Sequence, residues 1–230
     1  MNTTKRQHTD QLIARLVSDV KAVKRLPSPH WQMFKWFSIS LVYAATIVAV
    51  VGFRADILSK LHDFKFTIEV MSALLTSMLA AVAAFCAGCP GRPFWERFAA
   101  IPVLAIWVGS LAFGCWQYFK AFGAETMNFQ PDMVCFACIF LIGLLPGAFI
   151  LLMIKKGAPI APATTAALAT LAAAALGAAA LRLFYVEDSS PILLTSQLGS
   201  VLTLTLLGAL MGRFFLPWPH ETANLEAEPR

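Results

Sequence analysis

The chain has 230 residues, of which 58% are apolar and only 13% are charged. Soluble domains carry about 25% charged residues, so this composition, with a mean hydropathy of +0.69, excludes an ordinary soluble globular protein. The formal net charge of +5 is explained by membrane topology, because lysine and arginine orient membrane proteins. We therefore expect an integral membrane protein that makes no direct contact with nucleic acid.

The first 33 residues are rich in polar side chains and contain one predicted amphipathic helix. Pro27 and Pro29 end this helix near Leu26, because the residue before a proline avoids the helical conformation. On a helical wheel its apolar residues fall within an arc of about 140°: Leu12, Ile13, Leu16, Val17, Val20 and Val23. A single short helix cannot bury such a stripe by itself. The stripe must therefore lie against a partner.

Two partners for this helix remain open from the residues alone. The helix can lie on the inner leaflet of the membrane, with Lys21, Lys24 and Arg25 facing anionic lipid. It can also dock into a groove on a cytoplasmic protein, with Asp19 at the edge of the stripe fixing its position. The stripe has no aromatic anchor for the membrane, and this favours the groove.

Six apolar runs follow, and each is long enough to cross a bilayer as a helix. A crossing needs about 20 mostly apolar residues, and lipid offers no partner for open backbone groups. The runs are residues 36–53, 66–87, 98–118, 133–154, 163–184 and 192–214. The predicted fold is an all-α integral membrane protein with six transmembrane helices and a short cytoplasmic amphipathic N-terminal helix. Its parts are a head (1–33), a transmembrane domain (34–216) and a disordered cytoplasmic tail (217–230).

Lysine and arginine are more frequent in the head, the second and fourth loops and the tail than on the other side. The positive-inside rule therefore predicts that both termini are cytoplasmic. All loops are short, so none can form a soluble catalytic domain. The chain also has no serine–histidine–aspartate set, no phosphate-binding loop and no histidine cluster. We expect no enzymatic activity, no cofactor and no metal centre of this kind.

Several residues within the runs have structural interpretations. Gly208 with Gly212, and Ala173 with Gly177, are small residues at a spacing that lets helices approach closely. Pro146 should loosen the fourth span, either as a plain kink or as a hinge that carries a signal. The charged residues Glu69, Arg182 and Arg213 lie near span ends. Arg182 is expected to snorkel outward or to pair with Glu187 or Asp188.

Motifs along nearly the whole chain resemble the NrsF family, the negative regulators of the extracytoplasmic-function sigma factor called sigma F. These are LIARLVSDVKAVKRLPSP in the head, IKKGAP after the fourth span, EDS before the sixth span and GALMGR near its end. The resemblance implies an anti-sigma factor in the bacterial inner membrane, whose head holds a sigma factor until stress releases it. The implied sigma-binding residues are Leu12, Ile13, Leu16, Asp19, Val23, Arg25 and Leu26.

The resemblance also implies that heavy-metal stress is sensed by periplasmic cysteines. Of five cysteines, Cys135 best matches the family cysteine in the fourth span, but Tyr185 occupies the position of the family's second one. Cys138 is a local substitute, because residues three apart share one helix face. Such a pair can form a disulfide or bind a soft metal ion. Equally, cysteine is an ordinary buried apolar residue.

Two other functions remain open. The second cysteine pair, Cys86 and Cys89, lies at the cytoplasmic end of the second span. Two pairs at opposite faces are compatible with a transmembrane thiol oxidoreductase. A small transporter is the third possibility, although transport sites usually place ionisable residues deep in the bundle.

Overall fold

The computed structural model describes residues 27–89, 91–123, 132–155, 161–185 and 190–215, together with positions 11, 13, 14, 17 and 157. From residue 27 onward the described chain forms seven α-helices and one 3-10 helix, Phe94–Phe98. The α-helices are α1 (Pro29–Val51), α2 (Ile57–Leu61), α3 (Phe64–Ala87), α4 (Ile101–Phe122), α5 (Met133–Ile154), α6 (Pro162–Phe184) and α7 (Ser190–Phe215).

All of these α-helices except α2 are long and apolar enough to cross a membrane. The prediction of an all-α membrane protein with six spanning helices is therefore confirmed. The predicted tail, 217–230, lies outside the described residues.

The start of the first span differs from its predicted position at residue 36. Helix α1 begins at Pro29, where the fixed φ of proline suits the first helical turn. The backbone N–H of Gln32 donates to the carbonyl of Ser28 at 3.1 Å, and its side-chain amide donates to the carbonyl of Pro27 at 2.8 Å. These bonds extend the helix through polar residues that an apolar run does not include.

The bundle has two ends, which we call the head end and the far end. The head end contains the start of α1, the end of α3, the start of α4, the end of α5, the start of α6 and the end of α7, and the far end contains the opposite termini. Exposed aromatic side chains lie at both ends, with Trp31 and Trp95 at the head end and Trp116 and Phe122 at the far end. Such belts are typical of membrane–water interfaces.

Helix α6 is the centre of the bundle and packs against α1, α3, α5 and α7. Its buried residues are mostly alanines, and small residues allow close approach of neighbouring backbones. A Cβ atom added to Gly177 would lie 2.9 Å from the carbonyl oxygen of Ile139 in α5. Gly208 and Gly212 of α7 contact α6 at Thr170 and Ala166. The small-residue pairs predicted from the sequence are thus internal packing contacts.

Candidate functional site

The predicted amphipathic helix of the head is described at four positions, 11, 13, 14 and 17, and all four are helical. Ile13 and Val17, which lie one turn apart, are 52% and 66% exposed. Two apolar side chains of the predicted stripe therefore face away from the rest of the described chain. The other residues of the expected sigma-binding set lie outside the described residues: Leu12, Leu16, Asp19, Val23, Arg25 and Leu26.

The segment that follows the head is tied to the middle of α5 through one buried tryptophan. Trp36, two turns into α1, is 0% exposed, and its indole Nε1 donates to the carbonyl oxygen of Pro146 at 2.9 Å. A buried indole N–H usually finds such a partner. The bond connects the start of the first span to the proline of α5. This hydrogen bond was not predicted, because the periodicity of a sequence does not show which residues of different helices are in contact.

The far end of α5 carries the two cysteines expected to sense a signal. Cys135 is 1% exposed, and Cys138 is half-buried one turn further along the helix. Neither cysteine forms a disulfide. The two lie three residues apart in the first turns of α5, a spacing that places them on one helix face.

Tyr185 occupies a position where a second sensor cysteine was expected from the resemblance. Its hydroxyl donates to the carboxylate of Asp132, the residue that caps α5 by accepting the backbone N–H of Val134 at 2.9 Å. The backbone N–H of Asp132 donates to Ser196 Oγ at 2.9 Å. The bond from Tyr185, followed by that from Val134, lowers the pKa of Asp132 below its ordinary value. Tyr185 therefore forms a hydrogen bond to the residue that caps α5, one turn before Cys135.

Arg182 does not snorkel outward, and that sequence-based expectation was wrong. The residue is 7% exposed, and its guanidinium Nη2 donates to the Glu69 carboxylate of α3 at 2.6 Å. The same guanidinium lies over the Phe66 ring, 5.2 Å from its centroid. Pairing inward satisfies two charges that would be costly to bury separately. The other proposed partners, Glu187 and Asp188, lie outside the described residues.

Arg54 forms a second ion pair within the segment after α1 and a hydrogen bond to the end of α6. Arg54 is buried and contacts Asp56, with Nε 2.6 Å and Nη2 2.9 Å from its two carboxylate oxygens. Its Nη1 also donates to the carbonyl of Tyr185 at 3.2 Å. The far end is therefore closed by a polar network that connects α1, α3, α5, α6 and α7. Part of this network had a sequence signal. Glu69 and Arg182 carry opposite charges and lie at similar distances from the far ends of their spans.

The other cysteine pair lies at the head end, as predicted. Cys86 is buried and Cys89 is half-buried, so the two CxxC pairs lie at opposite ends of the bundle. Among the described residues, no group of three or more histidine, cysteine or acidic side chains is arranged to hold a metal ion.

Comparison with known proteins identifies one family. A family model described as NrsF, negative regulator of sigma F, matches residues 16–218. No curated protein and no solved structure matches the chain. The family match includes the second half of the head as well as all six spanning helices. Because it covers most of the chain, the protein belongs to the NrsF family of negative regulators of sigma F.

Proposed function

We propose that this protein is a membrane-bound anti-sigma factor that sequesters an extracytoplasmic-function sigma factor through its head. The observation that carries the proposal is the family match over residues 16–218. The exposed, helical Ile13 and Val17 support it, because a docking stripe must be available to a partner. In this proposal the sigma factor binds the stripe and its flanking residues: Leu12, Ile13, Leu16, Asp19, Val23, Arg25 and Leu26.

The proposed location is the bacterial inner membrane, with the head and the tail in the cytoplasm and the far end of the bundle in the periplasm. The distribution of lysine and arginine supports this orientation. Two of the far-end arginines, Arg54 and Arg182, are neutralised by the carboxylates of Asp56 and Glu69. The count of lysine and arginine decides the orientation, because acidic residues contribute little to the positive-inside rule.

Signal transfer is proposed to run through α5. A change at its first turn, next to Cys135, displaces a helix whose Pro146 carbonyl accepts the Trp36 indole N–H. Trp36 belongs to the helix that directly follows the head. For release, the two positions of α5 must give the head different affinities for the sigma factor, since a signal that leaves both affinities equal shifts nothing.

The proposed stimulus is a soft metal ion or an oxidant that reaches Cys135 and Cys138 from the periplasm. Two thiolates bind a soft cation such as Cd²⁺ after losing their protons. Alternatively, an oxidant that accepts two electrons and two protons joins them as a disulfide. Cys138 is the more exposed of the two and would react first. Tyr185 supplies no thiol, so the sensor here would depend on this local pair.

A regulatory role without catalysis is supported by the family. The thiol oxidoreductase alternative also needs a reactive, accessible thiol in the head-end pair, whereas Cys86 is 2% exposed. The transporter alternative would place ionisable residues deep in the bundle. Glu69 and Arg182 instead lie near the far end and are paired with each other.

The experiment that tests sigma-factor binding is a pull-down from membranes solubilised in mild detergent, with mass spectrometry of the bound proteins. Wild type is compared with Leu16→Asp plus Val23→Asp, which places two charges on the stripe. The matched control, Gln11→Asp plus Ser18→Asp, places the same charges on the polar face. We expect wild type and the control to retain a sigma factor, and Leu16→Asp plus Val23→Asp to retain none. Retention of no sigma factor by any of the three would refute the proposal.

The proposed sensor is tested separately with a reporter gene driven by the captured sigma factor. Cys135→Ser and Cys138→Ser should abolish induction by Cd²⁺ while repression without metal is unchanged. Cys115→Ser, a buried cysteine on α4, is the control and should respond normally. Normal induction in both sensor variants would exclude these thiols but would leave sigma-factor binding intact.

A further inference from the structure

A groove of about 510 Å³ runs along the side of the bundle between α5 and α7. Its floor exists because the residues at this place are small: Ala166, Thr170 and Ala173 of α6, Gly147 of α5 and Gly208 of α7. The hydroxyl of Thr170 already donates to the carbonyls of Ala166 and Ala167 at 2.9 and 3.0 Å. The groove therefore offers a ligand an apolar surface.

The length of this groove and its charged end suit a lipid that enters from the head side. Its wall on α5 extends from Phe140 to Lys155, which is about 22 Å at 1.5 Å per residue. The hydrocarbon core is about 30 Å thick, so the groove reaches from the head end past the middle of the core. At the head end it terminates at Lys155, an exposed cation directly after the last residue of α5. The cation thus lies where lipid headgroups begin.

We propose that this groove binds one acyl chain of an anionic phospholipid from the head-side leaflet, with the lipid phosphate against Lys155. Charge complementarity decides between the possible occupants. An apolar helix from a second copy of the chain would gain nothing from Lys155, whereas the net negative charge of an anionic headgroup favours binding about fivefold next to one lysine near the surface. This inference stands apart from the proposed sigma-factor binding.

Native mass spectrometry of the full chain tests the site, after incubation with equal amounts of phosphatidylglycerol and phosphatidylcholine that carry the same acyl chains. We expect one retained phosphatidylglycerol per protein. Ala148→Phe fills the groove from an exposed position and should reduce this retention at least about fivefold, because the CH₂ groups that the ring displaces lose their apolar contacts. Ala45→Phe, at an exposed position on α1, is the matched control and should retain the lipid.

Lys155→Gln provides a second test that leaves the apolar groove intact. It should lower the preference for phosphatidylglycerol over phosphatidylcholine about fivefold, with lipid still retained. Equal retention by Ala148→Phe and Ala45→Phe would overturn the site. So would a dimer of wild type that only Ala148→Phe disrupts, because a second copy would then be the occupant. An unchanged lipid preference in Lys155→Gln would overturn the role of the cation.

Discussion

Glu69 and Arg182 are buried charges at the far end, and each should contribute strongly to the stability of the bundle. Glu69 and Arg182 are 3% and 7% exposed, and removal of one partner from such a pair costs about 3–5 kcal/mol. We expect Glu69→Leu and Arg182→Met each to lose about this much free energy of unfolding. The double variant should lose less than the sum of the two. Denaturant titration in mixed micelles measures the unfolding free energies of wild type, the two single variants and the double variant. Strictly additive losses would show that the two charges do not interact.

The hydrogen bond between Tyr185 and Asp132 predicts a pH dependence with a definite sign. It lowers the folded-state pKa of Asp132 below the ordinary 3.8, so its stabilisation is present above that value and is lost as pH falls. Tyr185→Phe should therefore melt at a lower temperature than wild type at pH 7, and the difference should shrink below about pH 4. Melting curves of Tyr118→Phe, a substitution on α4, supply the control. A difference that stays constant with pH would contradict the assignment.

Sequence reasoning identified individual residues better than it identified their partners. The spacing of Cys135 and Cys138 places both thiols together because helix geometry fixes neighbours three residues apart. The Arg182 partner was missed because the sequence shows proximity along the chain, whereas Glu69 lies on another helix. Trp36 lies at the start of an apolar run, and nothing in the sequence indicates its partner. In the structure its ring faces the bundle, and its indole N–H reaches α5.

At the scale of helices, close contact of α5 with α6 depends on glycine. A methyl group on Gly177 would lie 2.9 Å from a backbone carbonyl, whereas one on Gly109 of α4 would meet nothing within 4 Å. Gly177→Ala should therefore destabilise the bundle by about 1–3 kcal/mol. Gly109→Ala, the identical change in an open position, should be neutral or stabilising. Equal effects on the unfolding free energy would show that α5 and α6 are not closely packed here.

The contact between α1 and α5 should contribute to both stability and signalling. Trp36→Phe keeps an aromatic ring but removes the bond to the Pro146 carbonyl. Trp107→Phe removes the same volume from a buried position on α4. We expect Trp36→Phe to cost about 1 kcal/mol more than Trp107→Phe, by denaturant titration. Under the proposed mechanism only Trp36→Phe should also weaken the response to Cd²⁺ while leaving repression intact.

The helical elements were the easiest part of the fold to predict, because lipid allows no unpaired backbone and every span must be a helix. Their limits were less certain where polar residues continue a helix, as at Pro29, or where a five-residue helix such as α2 has no periodic pattern. The internal use of Gly208 and Gly212 followed from their spacing. Which helix they contact depends on the three-dimensional arrangement of all six spans.

For the whole molecule, the described bundle and the head have different roles. The bundle is arranged around the alanine-rich α6, and two ion pairs, Glu69–Arg182 and Arg54–Asp56, lie at its far end. The head presents Ile13 and Val17 outward. Such an arrangement suits a regulator in which a membrane domain holds a short recognition helix and adjusts its availability.

The most direct test of this account is a titration of the captured sigma factor against the full chain in lipid nanodiscs. We predict that Leu16→Asp plus Val23→Asp weakens the affinity at least about 100-fold, since hot-spot side chains contribute about 2 kcal/mol or more each. Gln11→Asp plus Ser18→Asp, which carries the same added charge, should bind like wild type. Equal affinities for the two variants would contradict the claim that the apolar stripe of the head holds the sigma factor.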